Sequence, residues 1–332
     1  MFRLQLVKND GSKTYDITPI VNQFSWDSTM SLVSVIDFSI IWNDARFIPT
    51  NPVEVGDLII IYKDEIEVNR GIVVKNKQSG RSPIEYTAYD YAWYLGKSKS
   101  VYQFNNLSAR QAISKILNDF GLPIGNITEM ATIINKIYIQ KSPAEIIQDI
   151  IKQHERQSGI KIFAEMRSGQ IYIEKMRDMI VLGRFRLASN VARINVLDNP
   201  IGAERTQSIE EMRNRVKIIL SKNDNYQTIA LEQDTPMVSK YGLLEETFKI
   251  DEEDAAKARQ AAKVLLKRLS RIHETNALNL MGDVSFKAGR LFDVVEPITG
   301  MEGRFMITNC KHEVASGFHT MNLTLTLPED IA

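Results

Sequence analysis

Two stretches near opposite ends of the chain carry one pattern twice. In the first, Gly56-Asp57-Leu58 opens an apolar run, Gly71-Ile72-Val73-Val74 opens a second, and Ser79-Gly80 precedes a third that sets Ile84, Tyr86 and Ala88 on one face. In the other, Gly289-Arg290-Leu291, Gly303-Arg304-Phe305-Met306-Ile307 and Ser316-Gly317 come in the same order, and Met321, Leu323 and Leu325 stand at the same distances from the Ser-Gly pair. Alternation of this kind predicts half-buried strands. Glycine at strand starts suits any antiparallel meander, but three matched strands in one order favour a duplicated β-domain.

The residues between the copies read differently. Phe2, Leu4 and Leu6 alternate, as do Val33, Val35, Phe38 and Ile40, but the character changes after about residue 95. Ser108 with Gln111 forms a capping box ahead of Ala112, Ile113, Ile116, Leu117 and Phe120, a helical stripe that stops at Gly121. Ser142, Pro143 and Glu145 repeat the start signal before Ile146, Ile147, Ile150, Ile151 and His154, and a hairpin follows around Arg167-Ser168-Gly169. Strand character returns after Pro200. Asp251 then caps a long helix reaching about 273, with Ala258, Ala261, Ala262, Leu265, Leu269 and Ile272 on one face, expected to brace the flank of the second β-domain. The predicted fold is α+β and β-rich: a β-domain over 1–95, a small α/β domain over 96–189, and a related β-domain over 190–332 that contains the helix at about 251–273.

Composition narrows the function classes. Lys plus Arg equals Asp plus Glu at 41 each, so no basic excess marks a nucleic-acid binder. Hydrophobic residues at 44% and charged residues at 25% are those of a folded globular protein. Apolar runs such as Leu58-Ile59-Ile60-Ile61 fall far short of the ~20 residues a membrane-spanning helix needs. The start alternates and then reaches the turn Asn9-Asp10-Gly11, which reads as a strand rather than a secretion signal. The single cysteine, Cys310, forbids an intrachain disulfide and suits a reducing cytoplasm.

Candidate chemistry is sparse. Cys310 and His312 share a strand face and His319 can approach across the Ser316-Gly317 turn, which makes a metal or thiol site conceivable. No established ligand spacing supports it, and a buried cysteine beside a histidine is the simpler expectation. His154 ends an apolar helix stripe and reads as a hydrogen-bonded, partly buried histidine. Glu252-Glu253-Asp254 suits the first turn of a helix, and Lys263, Lys267, Arg268 and Arg271 form a solvated basic face without interleaved aromatics. Trp26, Trp42 and Trp93 are expected to be mostly packed. Phosphate-loop, nucleophile-elbow and zinc-protease motifs are missing. The sequence therefore predicts no catalytic, cofactor-binding or metal-ligating residues and no cofactor, and it leaves interface residues unassigned.

Several segments carry a family resemblance: Tyr86-Thr87-Ala88-Tyr89-Asp90-Tyr91 with Tyr94-Leu95, Met212-Arg213-Asn214-Arg215-Val216, Lys240-Tyr241-Gly242, and Gly282-Asp283 leading to Ala288-Gly289. In this order, over nearly the whole chain, they resemble the baseplate hub proteins of contractile phage tails and tail-like bacteriocins, including the late control protein D group and the PBSX-like prophage hubs. The resemblance implies that the two β-domains are tail-tube-like barrels and that three chains form a ring joining a six-fold tail tube to a three-fold spike. It also implies a tube or tube-initiator protein, a spike, other baseplate proteins and a tape measure protein as partners. Assembly in the bacterial cytoplasm and residence in the tail baseplate of a released particle follow from it. Unlike some relatives, this sequence shows no appended lysozyme-like or peptidase domain. A cell-wall hydrolase of the tail and a carbohydrate- or receptor-binding β-module stay open as alternatives.

Overall fold

A computed structural model describes residues 1–42, 50–182, 184–185, 194–195, 201–222, 225–250, 258–296 and 298–328. They form two compact units: Met1–Ala203 with Ala277–Leu325, and Glu204–Asn276 with Thr326–Ala332. The fold is α+β and rich in strands, distributed over several sheets.

In the first unit the chain begins with β1 (Phe2–Val7), β2 (Thr14–Asp16), β3 (Val21–Thr29), β4 (Val35–Ile40), β5 (Leu58–Lys63), β6 (Ile66–Lys77) and β7 (Ile84–Tyr89). β5, β6 and β7 are the meander read from the sequence. β7 returns to β4, β4 pairs with β3, and β1 flanks β5. Leu4, Leu6, Ile36, Ile59, Ile61, Val73 and Ala88 alternate inward and are fully buried. Each of the Leu, Ile and Val side chains contributes about 1.5–3 kcal/mol of transfer free energy, and the Ala88 methyl about 0.8, as upper bounds that ignore burial in the unfolded chain.

The α/β part follows as α1 (Ala92–Lys97), β8 (Ser100–Ser108), α2 (Ala109–Asp119), β9 (Ile124–Ile127), β10 (Ile133–Lys141), α3 (Pro143–Ser158), β11 (Ile162–Arg167) and β12 (Gln170–Lys175). α2 and α3 start with the capping boxes seen in the sequence, Ser108 with Gln111 and Ser142 with Glu145. Their stripes bury Ile113, Ile116 and Leu117 against Ile146, Ile147 and Ile150. The Ser168-Gly169 turn between β11 and β12 has both residues at positive φ, as a two-residue hairpin loop requires. Two short strands, β13 (Arg184–Phe185) and β14 (Ile194–Asn195), pair with each other.

β15 (Gly202–Ser208) leads out of the first unit. The second unit contains β16 (Arg215–Lys222), β17 (Asn225–Gln233), α4 (Thr235–Tyr241), β18 (Glu245–Ile250) and α5 (Ala258–Leu269). Its three-stranded sheet runs β17-β16-β18, and α5 lays Ala258 and Ala262 on Val216, Ile218 and Ala230. The helix expected to brace a barrel flank thus covers its own small sheet. It also stops at Leu269 rather than near 273, because Ser270 donates its hydroxyl to Asp234 and His273 already begins a strand. The predicted start at Asp251, with Glu252-Glu253-Asp254, lies outside the described residues.

The chain returns along β19 (His273–Met281) and finishes with β20 (Leu291–Glu296), β21 (Met301–Ala315) and β22 (Phe318–Thr326). One sheet of twelve strands holds both ends of the chain, in the order β15-β19-β22-β21-β3-β4-β7-β6-β5-β1-β2, with β20 also on β21. The repeat is visible in that order: β3-β4-β7-β6-β5 has the same connectivity as β15-β19-β22-β21-β20. Hydrogen bonds match as well. Gly56 N–H meets Val73 O and Val73 N–H meets Asp57 O, while Gly289 N–H meets Ile307 O and Ile307 N–H meets Arg290 O. In chain order the residues from 209 to 272, between β15 and β19, stand where the second copy's counterpart of the five-residue β3–β4 turn would be.

Candidate functional site

The feature that sets this sheet apart is the seam where the copies meet, the antiparallel ladder of β3 on β21. Asn309 faces Thr29, His312 faces Trp26 and Ala315 faces Gln23. Strand alternation gives the seam two unlike faces.

One face is polar across five consecutive strands. Lys311 and Glu313 on β21 stand opposite Asp27 and Ser25 on β3; Ser25 and Gln23 then face Asp37 and Ser39 on β4, which face Thr87 and Glu85 on β7, which face Lys75 and Lys77 on β6. Opposite charges are interspersed, and Thr87 donates to Asp37 at 2.7 Å. Partial burial raises the Asp27 carboxyl above its ordinary range. The face offers hydrogen-bonding groups and charges of both signs, and a hollow on it is lined by Asp37, Glu85, Lys311 and Glu313.

The other face is an aromatic and histidine nest. Trp26 stacks on His312 with centroids 4.5 Å apart and on Phe24 at 6.1 Å, and Phe2 meets His319 edge-on at 5.0 Å. His312 Nε2 lies 2.9 Å from the Phe286 carbonyl, which can only accept, so this nitrogen carries the proton. His312 Nδ1 then accepts from His319 Nε2 at 3.0 Å. The Cys310 thiol lies 3.4 Å from the same carbonyl. Burial pushes His312 down to about 4 and His319 to about 3, and it pushes the Cys310 thiol up. All three groups are therefore neutral near pH 7. The three side chains predicted to meet do meet; both nitrogens of His312 and the Cys310 thiol are engaged within the cluster and on a carbonyl, while His319 Nδ1 is buried without a hydrogen-bond partner. Among the described residues no three His, Cys, Asp or Glu side chains are arranged to hold a metal ion.

Two glycines of the sequence pattern are explained here. Gly282 passes beneath the His319 ring, where a Cβ would come within 2.1 Å, and Gly289 adopts φ +78° beneath Phe163, where a Cβ would come within 2.6 Å. Beside Gly289, Arg290 donates to Glu165 at 2.7 Å, and Arg167 bridges Glu165 and Glu174. Sequence reasoning missed this half-buried ion network because Arg290 and Glu165 are 125 residues apart. Asp90, also missed, accepts the backbone N–H groups of Ser34 and Ala92, and burial pushes its carboxyl up to about 7. In the second unit Asn214 ties two of the resemblance segments together, donating to Gly242 O at 2.6 Å and accepting from Leu244 N–H at 2.8 Å. His154 is buried and bonded to Thr132 at 3.0 Å. Trp26 is buried and Trp93 half-buried, but Trp42 is exposed, against expectation, because it lies beyond the end of β4.

A continuous sheet built from two copies of one strand order, with an α/β insert between them, is the fold of a phage tail protein. The 43 kDa tail protein of prophage MuSo2 from Shewanella oneidensis superposes with a TM-score of 0.73 over 99% of this chain and 100% of that one, at 15% identity. The chain belongs to the YQBQ-like family, whose profile matches residues 24–326. Two relatives come from Bacillus subtilis (strain 168). The phage-like element PBSX protein XkdQ is 28% identical over 292 residues, covering 83% of this chain and 84% of that protein. YqbQ is 27% identical over 284 residues, covering 81% and 80%.

Proposed function

We propose that this chain is the structural hub of a contractile-tail baseplate, three copies of which close a ring between a six-fold tail tube and a three-fold spike. The observation that carries the reading is the shared strand order of the two copies within one sheet. A chain with two equivalent β-domains presents six of them when three chains close, and so meets both symmetries. On this reading 1–95 and 190–332 are the tube-like domains, the second interrupted by the inserted unit, and 96–189 is the α/β domain. The polar face running from Glu313 to Lys77 lines the channel, where mixed charges let cargo pass without a strong field of either sign.

The partners are the tube or its initiator, the spike and other baseplate proteins, and the place of action is the tail of a released particle. The reading assigns no catalysis to Cys310, His312, His319 or His154. Negative-stain imaging with analytical ultracentrifugation of the purified chain tests it. Three-fold rings with a central channel are expected; a two-fold dimer without a channel, or turnover of peptidoglycan, overturns it.

A further inference from the structure

Each copy of the repeat carries the same pair of strand edges, and the chain joins only one of the two combinations they allow. β21 is long enough to hold two partners on one side. Leu291–Glu296 of β20 pair with Met301–Met306, and Gln23–Thr29 of β3 pair with Asn309–Ala315. By position in the shared order, β3 corresponds to β15 and β21 to β6. The matching junction, β15 along β6, is not made. β15 ends the strand order, and among the described residues no strand lies on the β5 side of β6 beyond Val73.

Among the described residues neither edge has a strand neighbour, and both are polar and exposed: β15 shows Glu204, Thr206 and Gln207, and β6 shows Lys75, Asn76 and Lys77. Glu204 thus brings a carboxylate to a strand with two ammonium groups. Ile201 donates its N–H to Asn279 on β19. By alternation, Glu204 and Thr206 direct their N–H groups away from β19, toward the open side. Unpaired edges of this kind accept a further strand readily.

We propose that β15 of one copy adds to the free half of β6 in a second copy, repeating between chains the β3–β21 ladder made within each chain. The proposal rests on the ring reading above and names its contact. Because the two edges differ, the contact is head-to-tail and propagates until the ring closes.

Two variants of the full-length chain test it. Thr206→Pro removes one outward N–H and leaves the β19 ladder its donors; it is expected to weaken self-association at least ten-fold in ultracentrifugation, with the thermal melt unchanged. Thr206→Cys combined with Asn76→Cys is expected to give a ladder of linked chains on non-reducing gels after oxidised glutathione, the native Cys310 being buried. If the parent chain forms rings, yet Thr206→Pro associates normally and the cysteine pair stays unlinked, the edge assignment is wrong and the ring reading survives. A parent chain that stays monomeric at every concentration overturns the ring reading itself.

Discussion

The two copies of the repeat share a strand order and treat the same edge in opposite ways. Beyond Ile307, β21 is covered by β3, and its inward residues Cys310, His312 and Val314 are buried. Beyond Val73, the equivalent arm of β6 carries Lys75, Asn76 and Lys77 into solvent. Strand order alone therefore does not decide what is buried; the presence of a neighbouring strand does. Lysines on the open arm also discourage indiscriminate edge pairing, as exposed edges generally require.

The largest effect expected from breaking this contrast is at Trp26, the centre of the covered seam. Trp26→Ala removes the ring that stacks on His312 and Phe24, at a cost of about 3–5 kcal/mol. Asn76→Ala on the open arm is expected to stay within about 0.5 kcal/mol for the isolated chain. Denaturant melts of both variants measure the contrast directly, and equal losses would mean that the seam is not the tighter edge.

The paired glycines sharpen it next. Gly56 and Gly289 hold the same place before β5 and β20, at φ +99° and +78°. A Cβ on Gly56 would meet only the flexible Asn9 side chain at 3.3 Å, whereas one on Gly289 would enter the Phe163 ring. Gly56→Ala should cost about 1–2 kcal/mol from the left-handed backbone alone. Gly289→Ala should cost about 2–3 kcal/mol, since the ring must also shift. The difference between the two melting temperatures is the readout.

Acid separates the copies in another way, because the seam's histidines belong to the second copy. His312 and His319 are held below the ordinary value of 6.5, at about 4 and about 3, chiefly by burial; Lys287 and Lys63 add to the shift of His312 against the Phe286 carbonyl and Asp283, and His312 and Lys63 add to that of His319. The unfolded chain therefore binds protons that the folded chain refuses. Their stabilising effect is complete above pH 6.5 and is lost as the pH falls toward 4. At pH 5.5 the loss should be on the order of 2–3 kcal/mol for the pair, about 1.4 for each histidine. Melting temperature followed from pH 7.5 to 5 should fall, and His319→Gln should flatten the slope.

Local signals were legible in the sequence and distant pairings were not. The capping boxes at Ser108 and Ser142, the Ser168-Gly169 turn and the alternation of Met321, Leu323 and Leu325 each depend on neighbours a few residues away. The meeting of Cys310, His312 and His319 was readable for the same reason, since one strand and one turn produce it. The β3–β21 seam, by contrast, joins residues some 280 positions apart, such as Thr29 and Asn309, and no periodicity encodes that choice. Likewise the alanine face of α5 announced a close neighbour without saying that the neighbour would be the sheet of Val216 and Ile218.

Cys310 should give the smallest effect and the most direct reading of the nest's chemistry. Its thiol packs against His312 and lies 3.4 Å from the Phe286 carbonyl, an ordinary length for sulfur, whose S–H is a weak donor. Serine keeps a donor in the same place but is smaller and more polar. Cys310→Ser should therefore cost less than about 1 kcal/mol, by analogy with modest polar and packing changes in cores. Assembly should be unaffected, because neither proposed edge contains the residue. If His312 and His319 instead completed a metal site with Cys310, the purified parent chain would retain stoichiometric zinc and the variant would lose it. Elemental analysis beside a denaturant melt separates the cases: a metal-free parent with a nearly unchanged variant leaves the cluster as packing, and zinc lost together with several kcal/mol of stability makes it a structural metal centre.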